Sequence, residues 1–394
     1  METKDIIEGI TSTPSLDGGR IYLDYNATTP VLPEIWDQAV PYLTEYFGNP
    51  SSGHWAGAAP RKALAKARAQ VAQLIHAQPH QIIFTSGGTE ANYLGLWGTL
   101  RMQSQGLIAT SDIEHPAVKD PLHRLIKNGW QHHNLSVNST GTVSKAELLK
   151  CGALNVDAVS LMLANNETGV IQPVGHLRTL LGDKIFLHTD AAQAVGKIPV
   201  DVSVLDVDAL TMAGHKLYAP KGIGALYLKN PKQLMPLFKG GGQESGLRAG
   251  TENIPYIVAL GAAAELATQT LQHEQVRLRA LRDQLYSLLK NQFPTIQWNG
   301  MGADVLPNTL SVRFPGCNGQ NILKACPTLA ASTGSACHDG TNQASAVLLS
   351  MGIPNEEALG TVRLSIGRGT TKQHITVAAR TLARAAHATF GVGL

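Results

Sequence analysis

At 394 residues the chain exceeds one ordinary small domain, and two packed lobes are its natural organisation. Its residues are 43% hydrophobic and 15% charged, which describes a soluble globular protein with a large core. A formal net charge of +3 is close to neutral for this size, and no cluster of Lys and Arg could track a phosphate backbone, so no nucleic-acid partner is expected.

The start, METKDIIEGITSTPSLDGG, lacks the basic-then-apolar pattern of a signal peptide and reads as a polar arm; a cytoplasmic location is expected. The most apolar stretch, around Tyr256 to Ala267, is too short and interrupted to span a bilayer, so no membrane is expected. Four cysteines (Cys151, Cys317, Cys326 and Cys337) make neither a disulfide framework nor a C-x-x-C pair, and no metal site is expected. The first three read as small buried hydrophobes.

Along the chain, short β-rich runs then alternate with helical stretches: QIIFTS, GLIATS, AVSLMLAN, KIFLHTD, DALTMAG and GALYLK. The alternation predicts an α/β fold, with residues 20–260 forming a large domain on a mostly parallel sheet covered on both faces. Ligands of such sheets bind outside the carboxyl ends of the strands, so the polar residues just after each run are the candidates for chemistry. After QIIFTS, Gly87, Gly88 and Thr89 would present backbone N–H groups and a hydroxyl to an anion at a helix start, although glycines also serve turns alone. KIFLHTD ends in Asp190, a carboxylate that needs a partner if buried; a pyridinium N–H suits it, and a helix N-cap is the alternative.

After DALTMAG come His215 and Lys216. A lone lysine there would be an exposed loop residue, but a lysine in a desolvated cleft near other positive groups is partly neutral and can form a Schiff base with an aldehyde. An aspartate that keeps a ring nitrogen protonated, combined with such a lysine, points to pyridoxal 5′-phosphate. A helical pattern from about Ile254 to Asn291 then leads into a smaller α+β domain, residues 261–394 with the arm 1–19. That domain contains strands at NTLSVRF and TVRLSIG and a terminal helix rich in Ala and Arg. Arg363, in the second strand, calls for an anionic partner. Cys337 lies in LAASTGSACHDGTNQASAVLL, where Gly, Ser, Thr, Asp and Asn make the thiol accessible and able to ionise.

The motifs LDYNATTP, NPSS, FTSGGTEAN, EHPAV, LANNETG, HTDAAQAVGK, GHKLYAPKGIGALY, GGGQESGLRAGTEN and TGSAC follow in the order of the cysteine desulfurases and selenocysteine lyases. The chain thus resembles, over roughly residues 20 to 370, the class V aminotransferase group of fold-type I pyridoxal-phosphate enzymes. The resemblance implies that Lys216 holds the cofactor aldehyde, Asp190 pairs with the ring nitrogen and His115 stacks on the ring. Gln193 would bond the phenolic oxygen, with Asn166 beside it and the substrate. The amide of Gly88, with Thr89 and His215, would bind the phosphate, and Thr251 would reach the phosphate of the neighbouring subunit in a homodimer. Asn26 would join the substrate site, and the planar fork of Arg363 would clamp the substrate carboxylate.

The activity implied is desulfuration of L-cysteine to L-alanine, with sulfur held on Cys337 as a persulfide and passed to an acceptor protein. The alternatives are a selenocysteine lyase acting on L-selenocysteine or a related class V aminotransferase or lyase. Two departures stand out. Pro116 replaces an aspartate of the animal selenocysteine lyases, and Ala213 replaces a phosphate-binding serine of many desulfurases. Thr211 is read as facing away from the site and as no sure substitute.

Overall fold

The computed structural model describes residues 19–333 and 344–391. The first segment after the arm forms β1 (Ile21–Tyr22), and one seven-stranded sheet follows. It contains β2 (Ile82–Thr85), β3 (Leu107–Ser111), β4 (Gln131–Leu135), β5 (Ala158–Ser160), β6 (Phe186–Asp190), β7 (Ala209–Ala213) and β8 (Gly224–Leu228), in the order β2-β8-β7-β6-β5-β3-β4. Only β8 runs against its neighbours, and every other pairing is parallel. Each β-rich run of the sequence is one of these strands. Their residues are buried throughout in β2, β7 and β8, as expected of a sheet covered on both faces. The strand that composition did not announce is β4, QHHNL, an edge strand exposed along most of its length.

The helices that matter for the site are α1 (Trp55–Leu74), α2 (Gly88–Tyr93), α3 (Pro116–Lys127), α4 (Ile254–Gln292) and α5 (Lys372–Thr389). The 39-residue α4 begins at Asn253, whose side chain accepts the Tyr256 N–H, and has Pro255 in its first turn. Its first half buries Ile257, Leu260, Ala263 and Ala267 in the large core. There it crosses α1 at Gly261, where a Cβ would lie 2.7 Å from the Cα of Ala67.

The second half of α4 buries Leu278, Leu281, Leu285 and Leu289 in a separate core. That core is completed by α5 and an antiparallel sheet of β9 (Gln297–Trp298), β10 (Thr309–Arg313) and, after β11 (Leu329–Ala330), β12 (Thr361–Ser365). The expected division between residues 260 and 261 therefore falls inside α4, and the change of core comes between Ala267 and Leu278. Ile21 and Leu23 also belong to the smaller core, because β1 pairs in parallel with β11. Unbroken helical periodicity marks no boundary, and a two-residue strand carries no sign of its distant partner. The arm itself, apart from Gly19, lies outside the described residues.

Candidate active site

Because β8 is antiparallel to both β2 and β7, the carboxyl ends of β2, β3, β5, β6 and β7 all reach the same edge of the large sheet. The segments leaving those ends carry Gly88 and Thr89, His115, Asn166, Asp190 and Gln193, and His215 and Lys216. These residues line one cleft of about 400 Å³, closed from the smaller domain's side by Asn26 and by Arg363 of β12. The cleft thus gathers ten of the residues singled out in the sequence. Thr251 is not among its lining residues and stands exposed on the loop before α4. Cys337 lies outside the described residues.

At the cleft's centre, Lys216 Nζ donates to the carbonyl oxygens of Asn26 and of Ala27, the latter at 2.6 Å. Burial, reinforced by the positive charge of Arg363, lowers its pKa to about 8, against the opposing pull of Asp24 and Asp190. Asp190 is 8% exposed and doubly held. Its Oδ1 accepts the Ala192 N–H at 2.9 Å, and its Oδ2 accepts Asn92 Nδ2 at 2.7 Å. No helix starts at Asp190, so the N-cap alternative is not met; the carboxylate closes only a local turn and still lines the cleft with lone pairs to spare.

His115 N-caps α3, its Nδ1 accepting the Ala117 N–H at 3.1 Å, which places any ring proton of the neutral form on Nε2. Burial lowers its pKa, so the uncharged ring is favoured. His215 is lowered to about 4 by burial and by the charges of Lys216, Lys221 and Lys197, and its Nδ1 lies 3.1 Å from Thr28 Oγ1. Arg363 donates to Asp24 Oδ1 at 2.7 Å and to the Asn166 carbonyl at 2.9 Å, while its buried Nε has no partner. The anionic partner that the sequence called for is thus supplied within the chain by Asp24, which the sequence reading did not single out.

Thr211 corrects an expectation. Strand side chains alternate with a period of two, so Thr211 and Ala213 share one face of β7. A Cβ on Gly88 would lie 3.3 Å from Ala213 Cβ and 3.9 Å from Thr211 Cγ2. Thr211 does not face away, but its hydroxyl lies 3.3 Å from His188 Nε2 and does not line the cleft. The sequence reading also passed over Asn92 and Lys197. Both sit inside quoted motifs, FTSGGTEAN and HTDAAQAVGK, and that was the available signal.

The cleft fits pyridoxal phosphate. Its donor set combines a depressed lysine amine, a buried carboxylate for a ring N–H and an uncharged imidazole beside them. The buried Oδ1 of Asn92 is left without a partner beside Asp190. Lack of a side chain at Gly88 lets the start of α2 close on β7, so that Gly88 and Thr89 border the end of the cleft where His215 stands. Cys151, Cys317 and Cys326 are buried free thiols, and burial raises the pKa of all three, leaving them inert.

Comparison with known proteins agrees with this geometry. The family model described as aminotransferase class-V matches residues 21–377. Cysteine desulfurase 2 of Trichormus variabilis is 44% identical over 360 residues, covering 90% of each chain. Among solved structures, a NifS-like protein superposes with a TM-score of 0.86 at 32% identity, over 93% of this chain and 98% of that one. SspA in complex with cysteine gives a TM-score of 0.77 at 31% identity, over 89% and 99% of the two chains. A family match across nearly the whole described chain, over a cleft that gathers Lys216, Asp190 and Arg363, makes this protein a member of the class-V aminotransferases, among whose pyridoxal-phosphate enzymes the cysteine desulfurases are its relatives.

Proposed function

We propose that the protein is a cysteine desulfurase that converts L-cysteine to L-alanine and collects the sulfur on Cys337. The observation that carries this is the convergence of Lys216, Asp190 and Arg363 on one cleft, in a chain whose relatives bear that activity in their names. When bound, pyridoxal phosphate supplies an aldehyde that takes up the substrate amine and a ring that withdraws electrons from the substrate carbon. Asp190, fixed from two sides, keeps the ring nitrogen protonated. Lys216, with its amine near pKa 8, is partly neutral at physiological pH and serves as the base for the α-proton. Arg363 borders the cleft and brings its positive charge to the substrate carboxylate, while Asp24 holds one side of the guanidinium in place. SspA, solved with cysteine, supports cysteine as the substrate.

The thiolate of Cys337 attacks the substrate Sγ: a sulfur–sulfur bond forms, the carbon–sulfur bond breaks with its electrons on carbon, and that carbon leaves as alanine after protonation. The persulfide then passes its outer sulfur to an acceptor protein. The homodimer belongs to the same proposal and rests on the Thr251 motif. Cys337→Ala is expected to bind the cofactor with an unchanged spectrum and to lose alanine production from cysteine by several orders of magnitude. Supplying cysteine and selenocysteine separately, with alanine, sulfide and selenide all measured, tests the reading. Unchanged alanine output from cysteine in the variant would leave a plain lyase or aminotransferase instead, and a smaller loss with selenocysteine is expected because the carbon–selenium bond is weaker.

A further inference from the structure

A second lysine that the mechanism above does not use, Lys197, lines a small cavity together with Lys216. Lys197 follows Gly196 in the turn after β6 and is 9% exposed, and no carboxylate pairs with it among the described residues. Its Nζ donates to Gln193 Oε1 at 2.7 Å and to Asn26 Oδ1 at 3.3 Å. Burying a lysine on two neutral amide oxygens is costly, and burial with the charges of Lys216 and Arg363 holds it well below the ordinary lysine range. A group so placed calls for a role that repays the cost.

The inventory of donors and acceptors supplies one. An amide side chain can turn over by half a rotation, exchanging its oxygen and its NH2, and nothing in its shape prevents this. Beside Lys197 the exchange is opposed: an ammonium only donates, and an uncharged amine, with its single lone pair, could accept from only one turned amide while its two N–H groups still call for oxygens. With Oε1 committed to Lys197, the NH2 of Gln193 must turn the other way, and one of its N–H groups bonds the Asn26 carbonyl at 3.0 Å. Asn26 is set in the same manner. Its Oδ1 accepts from Lys197 and from Asn308 Nδ2 at 3.0 Å, so its NH2 points at Thr309 Oγ1 and the Asn166 carbonyl. The Asn26 carbonyl, in turn, is where Lys216 Nζ docks.

We propose that Lys197 is a positioning residue: by donating to the side-chain oxygens of Gln193 and Asn26 it fixes both amides around Nζ of Lys216, so that Gln193 presents its second N–H to the cofactor. The proposal rests on the reading of Gln193 as a ligand of the phenolic oxygen. Residues that act through one another are non-additive, which a double-mutant cycle reads directly.

The test measures the dissociation constant of pyridoxal phosphate and the visible band of the bound cofactor for Gln193→Ala, Lys197→Met and the double variant. Lys197→Met is expected to loosen the cofactor about tenfold and to move its visible band, since a flipped Gln193 would present an oxygen to an oxygen. In the Gln193→Ala background, the same substitution should cost clearly less than tenfold, the remainder being its effect through Asn26. An equal loss in both backgrounds would overturn the proposal, as would an unchanged band and affinity in Lys197→Met. If Gln193→Ala alone binds the cofactor with wild-type affinity and band, the ligand role of Gln193 fails, and the proposal falls for that separate reason. Lys197→Gln keeps a donor NH2 and should recover affinity to within threefold of wild type. Loss of folded protein in both Lys197 variants would assign the residue to core packing and overturn the proposal.

Discussion

At the scale of single residues, the chemistry depends on protons held where water would not leave them. An ordinary lysine near pKa 10.4 would offer fewer than one free amine in a thousand at pH 7. Burial beside Arg363 brings Lys216 to about 8, which makes the free fraction about one in ten. Capture of pyridoxal phosphate by the cofactor-free protein should therefore quicken about tenfold from pH 7 to a plateau above pH 9, because only the unprotonated amine reacts. Stopped-flow absorbance at a series of pH values reads this directly, and a rate still climbing tenfold per pH unit at pH 10 would contradict it. Lys216→Ala should lose both the bound cofactor's band and all turnover, and residual turnover within tenfold of wild type would remove Lys216 from its role. Asp190→Ala should bind the cofactor weakly and lose most activity, since its partner Asn92 can supply no charge in its place. Equal rates in a fully loaded variant would leave Asp190 with only its local turn to Ala192.

The elements owe their positions to patterns of different legibility. Apolar strand runs with small or polar ends read plainly as a covered sheet, and the leucines of α4 read plainly as a helix. The edge strand β4 did not, because QHHNL has neither an apolar run nor a buried face beyond Leu135. The crossing of α1 and α4 turns on one atom. Gly261→Ala would gain about 1 kcal/mol of helix propensity. The added Cβ, however, would sit 2.7 Å from Ala67 Cα and 2.6 Å from Gln70 Oε1, inside any tolerable contact. Overpacking of this kind costs about 1–3 kcal/mol, so a net loss of stability is expected. Urea unfolding of the cofactor-free protein measures it, and a variant more stable than wild type would show that the helices separate freely.

For the whole molecule, the cleft is assembled from two domains, and its expected fourth wall is a second chain. Thr251 stands exposed and away from its own cleft, as a residue serving a neighbour would. If it completes the partner's phosphate site, Lys216→Ala and Thr251→Ala subunits should complement each other when mixed. In a hybrid dimer one site carries both defects and the other carries neither, so random pairing should restore about a quarter of wild-type activity. No recovery on mixing, with hybrids confirmed by mass, would place Thr251 outside the shared site.

The sequence by itself determined the α/β class, the cofactor chemistry and ten of the seventeen residues that line the cleft. It could do so because catalytic residues of a parallel sheet follow the strand ends, and strand ends are local signals. Only the tertiary structure decided what holds those residues in place. Asp24 on Arg363, Asn92 on Asp190 and Lys197 on Gln193 are side-chain pairings, the first two between residues far apart in the chain. The transfer of Ile21 and Leu23 to the smaller core depends on a two-residue strand finding β11 some three hundred positions later. Periodicity reports which face of an element is buried, and it is silent about what that face meets; the partner of a buried polar group is settled only when the chain has closed around it.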